Sequence, residues 1–99
     1  MSLMQTLQNE LEDSELWLSR EKEKSTYRRD LKKRIELLNW TLENMHNPNV
    51  NICKMIESNI DEILIKIKKT NSIFETDPLD SELRILNWIL YQVGSNKEK

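Results

Sequence analysis

The sequence predicts an all-α fold, a small antiparallel bundle of three or four helices. Three observations predict it. Apolar residues recur at spacings of three and four in separate stretches of the chain. One glycine and two prolines in 99 residues are too few for a turn-rich β domain. The 37% hydrophobic fraction is periodic, which excludes a disordered chain. At this length the chain forms one domain, expected over residues 1–94, with 95–99 a disordered C-terminal tail.

The first helix is expected near residues 3–23, where Leu3, Leu7, Leu11 and Leu18 form a stripe beside Met4. The second spans 27–46, with Leu31, Ile35, Leu38, Leu42 and Met45 spaced as in a coiled-coil seam. Around Ser25-Thr26 the register shifts without a Gly or Pro to enforce a break, so the first helix is allowed to run on into the second. A rod of that length, roughly 67 Å at 1.5 Å per residue, needs a partner chain for support.

The cluster Asn47-Pro48-Asn49-Val50-Asn51 ends the second helix and caps a third over 51–70, whose stripe is Ile52, Ile56, Ile60, Ile63 and Ile67. The run Ile63-Leu64-Ile65 has local strand character, but no second strand exists to pair with it. A fourth helix is expected over 78–93 on Leu79, Leu83, Leu86, Leu90 and Val93. Asp77 is placed as its N-cap, Pro78 at its first position and Gly94 as its C-terminal cap.

Shifting the chain by 48 residues lays the second helix on the fourth. Leu31 falls on Leu79, Leu38 on Leu86, Asn39 on Asn87, Trp40 on Trp88 and Leu42 on Leu90. The flanking charges invert: Lys32 against Asp80, Arg34 against Glu82, Glu36 against Arg84. In an up-down bundle these two helices run parallel, so the inverted charges are positioned to pair.

All three tryptophans fall off the main stripes. Trp40 lies about 180° from Leu31 at 100° per residue, with Leu37 on its side; Trp88 and Ile85 repeat this on the fourth helix, and Leu16 and Trp17 diverge on the first. Ile65 is off-stripe on the third. A monomer of this size is expected to leave part of that surplus in water, and Trp is enriched at the energetic centres of interfaces. The expected function is therefore a non-catalytic interaction or adaptor protein. It self-associates, as a homodimer first of all, through Leu16, Trp17, Leu37, Trp40, Ile85 and Trp88, or holds a protein partner there.

The alternative is a small nucleic-acid-binding regulator. The net charge of −2 conceals a block of +5 over residues 20–34, between segments of −4 on either side. Within it Arg29 and Lys33 share the outer face of the second helix with Trp40, with Lys32 beside them, a basic and aromatic surface of the kind that meets phosphates and bases. A pI of 5.5 and the lack of a helix-turn-helix glycine turn weigh against it.

Catalytic chemistry finds little material. His46 and Cys53, the single histidine and cysteine, flank the Asn/Pro turn, but an activated nucleophile also needs an orienting group and an oxyanion site. Glu57, Asp61 and Glu62 supply carboxylates without the Glu-x-x-His pairs of a bundle metal site, and no glycine-rich loop exists to cradle phosphate. The expectation is no enzyme, no cofactor and no metal. A lone cysteine, an acidic N-terminus unlike a signal peptide and the lack of a long apolar run suggest a cytoplasmic chain without a membrane partner.

Overall fold

The structure, a computed structural model, describes residues 2–21 and 26–97, with side chains as far as Gly94. It is an all-α bundle of four helices: α1 (Leu3–Arg20), α2 (Thr26–Met45), α3 (Ile52–Lys69) and α4 (Ile73–Lys97).

Local chemistry sets most of these ends. The Ser2 side chain accepts from the Gln5 backbone N–H at 3.1 Å, and Asn51 does the same for Lys54 at 3.2 Å. Each satisfies a donor that the first helical turn leaves without a backbone partner. α1 stops at Arg20, short of the expected 23. Glu21 turns extended, its N–H reaching back to the Trp17 and Leu18 carbonyls while its own carbonyl accepts from the Arg28 guanidinium. Helices α1 and α2 are therefore separate and packed together, with Arg34 pairing Glu10 at 2.7 Å. The register shift marks a chain reversal, although Ser25 itself lies outside the described residues.

Two expected boundaries of the fourth helix are corrected. α4 begins at Ile73, where the Ser72 carbonyl accepts from the Glu75 and Thr76 N–H groups, so Asp77 is not its N-cap and Pro78 lies within it. Pro78 has no N–H for the Phe74 carbonyl, which leaves the turn ahead of it weakly held. At the other end the helix passes through Gly94, which has no positive φ and does not act as the cap. Ser95 to Lys97, within the expected tail, continue the helix, and 98 and 99 lie outside the described residues.

The four helices form two antiparallel hairpins, α1–α2 and α3–α4, which meet mainly through α2 and α4. Arg28, Arg29, Asp30, Lys32, Lys33 and Glu36 of α2 share one groove with Pro78, while Arg34 shares another with Ile85 and Trp88, so α2 and α4 run parallel as the 48-residue echo requires. α1 lies antiparallel to α4, with Leu3 near Val93 at one end and Trp17 near Ser81 at the other. α1 and α3 stay apart on the flanks, and the body is only 20 Å thick, about two helix diameters.

This layout explains the apolar surplus. A central helix meets neighbours on more than one side, so α2 buries Leu37 as well as Leu38, and α4 buries Ile85 as well as Leu86. Leu7, Leu11, Ile56, Ile63, Ile89 and Val93 complete the core. Leu37 and Ile85, expected at an interface with a partner, are buried in the chain's own core.

The buried hydroxyls of Ser14 and Thr41 each donate to a carbonyl one turn back, at 2.8 Å. No described buried side-chain N or O lacks a hydrogen-bond partner.

Candidate interaction face

The α1 stripe has a gap. Leu7 and Leu11 are buried and Leu18 half-buried, but the intervening seam position holds Ser14, small and 2% exposed. Replacing a leucine-sized side chain by a hydroxymethyl leaves space between α1, α2 and α4. A groove of about 390 Å³ opens there, floored by Ser14, Leu31 and Ile85.

Its walls combine aromatic and charged groups. Trp17 and Tyr27 stand at one end, each 50% exposed, and Arg20 lies over the Trp17 ring at 5.7 Å. Trp88, 36% exposed, lies beyond the Glu10–Arg34 ion pair, in a smaller pocket shared with Ile85. Asp30 accepts from Arg29 at 3.0 Å. Asp13 of α1 and Arg84 of α4 line opposite walls without an ion pair among the described residues.

Of the six side chains expected at an interface, the structure leaves Leu16, Trp17 and Trp88 open to solvent. Trp40 is half-buried against the core. Sequence reasoning missed Tyr27, Arg34 and Arg84, which join Trp17 around the groove, Arg34 also lining the smaller pocket with Trp88. The available signal was Ser14, the one polar residue on an otherwise leucine seam.

No protein-family model, curated protein or solved structure matches this chain. The face is therefore read from its own chemistry.

Arg29, Lys32 and Lys33 do come together. With Arg28 they line a second groove of about 540 Å³, beside Glu36 and Pro78. Arg29 is paired with Asp30 and Lys33 with Glu36, the latter at 3.4 Å. Trp40 is not in this groove, because its ring packs on the core. The expected basic and aromatic face is thus divided. The inverted charges of the echo do not pair either: Arg34 is taken by Glu10, and none of Lys32–Asp80, Arg34–Glu82 or Glu36–Arg84 forms among the described residues.

His46 is exposed, whereas Cys53 is half-buried in the first turn of α3, in a groove that His46 does not line. Among the described residues no three His, Cys, Asp or Glu side chains converge on a metal-sized site, and no helix is long and apolar enough to cross a membrane.

Proposed function

We propose that this protein is a non-catalytic interaction module that self-associates through the α1–α2–α4 face. The observation that carries this reading is the exposure of two tryptophans on one face, Trp17 in the groove and Trp88 in the adjoining pocket, with the Glu10–Arg34 pair and the buried Ile85 common to both. Large aromatic anchors around a groove are what an interface needs at its centre. A standard interface takes about 800 Å² from each partner, a little over a tenth of this chain's 7044 Å² surface. One face is enough. The groove also offers both charge signs, Asp13 on one wall and Arg84 on the other, which suits a two-fold contact between identical copies.

Sedimentation at micromolar concentration tests the reading. A dimer is expected, and the double change Trp17→Ala and Trp88→Ala should return it to monomer with the helical circular dichroism intact. A wild-type chain that sediments as monomer overturns self-association.

A second reading, nucleic-acid binding, is favoured by the convergence of Arg28, Arg29, Lys32 and Lys33 on one groove. It predicts binding to mixed DNA or RNA that weakens steeply with added salt. Lack of any binding at low salt removes it.

A further inference from the structure

The two most exposed large apolar side chains among the described residues are neighbours. Ile73 is 76% exposed and Phe74 90%, in the first turn of α4. Neither belongs to the core or packs against it, so folding does not account for them. They stand at the tip of the α3–α4 hairpin, ahead of Pro78, and the last turns of α3 add the exposed Leu64 and Ile65. Lys66, Lys68 and Lys69, all exposed, surround the same reversal; residues 66–69 carry +3 and no acid in a chain of net charge −2. None of these residues lines the α1–α2–α4 groove.

Charge selects what covers this tip. A two-fold contact centred on residues 66–69 would set the same positive charges of two copies against each other, which is unfavourable. A surface of anionic headgroups attracts the same lysines, while its acyl boundary accepts an aliphatic and an aromatic side chain. Glu75 and Asp77 reduce the attraction, leaving a charge of +1 over residues 66–77. Asp77 sits about 6 Å further from the tip, at 1.5 Å per residue.

We propose that the α3–α4 tip docks on an anionic lipid surface, Ile73 and Phe74 entering the headgroup–acyl boundary and Lys66, Lys68 and Lys69 lying over the phosphates. The contact is weak and reversible, since it has neither a covalent lipid nor a spanning segment. It departs from the expectation of no membrane partner, which followed from the lack of an apolar run long enough to span. Lying on a bilayer needs no such run.

The test is co-sedimentation of the whole chain with vesicles of phosphatidylcholine alone, and with vesicles containing about a third phosphatidylserine. Binding to the anionic vesicles only is expected, weakening with salt. Phe74→Ser should lower partitioning at least about tenfold, and Lys66→Gln with Lys68→Gln and Lys69→Gln should remove most of the salt dependence. At 90% exposure Phe74 contributes little to folding, and circular dichroism checks this; Ile73→Ser provides the same test independently. Three results overturn the proposal. One is no binding to anionic vesicles at low salt. Another is binding indifferent to Phe74→Ser, which moves the contact to the basic groove of α2. The third is a fall in sedimenting mass on Phe74→Ser without lipid, which makes the tip a contact between copies.

Discussion

Helices α2 and α4 carry the same string, Leu38-Asn39-Trp40-x-Leu42 and Leu86-Asn87-Trp88-x-Leu90, and run side by side in the same direction. They bury the equivalent leading pairs, Leu37-Leu38 and Ile85-Leu86. At the tryptophan they part. Trp40 settles half-buried against the core, whereas Trp88 meets the Glu10–Arg34 ion pair and stays open. Helical phase is the same in both. What differs is the wall each neighbour supplies, apolar in one case and charged in the other. An off-seam residue on a central helix is therefore a candidate for burial and for exposure alike.

The equivalence of the two helices is tested most severely in the core. Leu38 and Leu86 are both fully buried. Truncating either to alanine should cost about 2–5 kcal/mol, the range for a well-packed leucine, and the two losses should be alike. Urea unfolding of both variants measures this. A loss under about 1 kcal/mol at one site alone would break the equivalence and place that helix at the edge of the core.

The tryptophans should then separate the helices. Trp40→Ala removes a ring packed on the core and should destabilise by about 2–4 kcal/mol. Trp88→Ala removes a ring that is more than a third exposed and should cost under about 1 kcal/mol. Association should respond in the opposite order, with Trp88→Ala raising the dimer dissociation constant and Trp40→Ala acting mainly through stability. Equal effects on folding would mean that the groove beside Trp88 closes in solution.

Which parts of this were legible beforehand follows from the same contrast. The stripes of Leu7, Leu38, Ile56 and Leu86 state the helices and their inward faces, because a period near 3.6 has one outcome in a bundle. A cap within the Asn47–Asn51 cluster is legible too, since the Asn51 side chain that supplies it acts on its own helix. The burial of Leu37 and Ile85 is not legible, because burial on a second side depends on which helices sit centrally, and no single helix encodes that. The start of α4 differs from the expected Asp77-Pro78 for the reverse reason: proline is a strong local signal, and here the chain overrides it by one turn. The groove rests on an absence, Ser14 where the seam would have leucine, and became visible only when three helices were set around it.

The smallest predicted effect concerns the far ends of the two helices. Under the 48-residue shift His46 corresponds to Gly94. α2 stops there, and the Asn47 N–H turns back to the Asn44 carbonyl at 3.2 Å. α4 instead continues to Lys97 through its glycine, without a positive φ, and a Cβ at that position would meet nothing within 4 Å. Glycine inside a helix costs about 0.5–1 kcal/mol relative to alanine, through the freedom it has in the unfolded chain. Gly94→Ala should therefore stabilise the protein by up to about 1 kcal/mol, read as a rise in the urea midpoint. The sign is decisive. Were Gly94 a left-handed C-terminal cap ending α4 as His46 follows the end of α2, the same alanine would be forced into a conformation it disfavours and would lower stability.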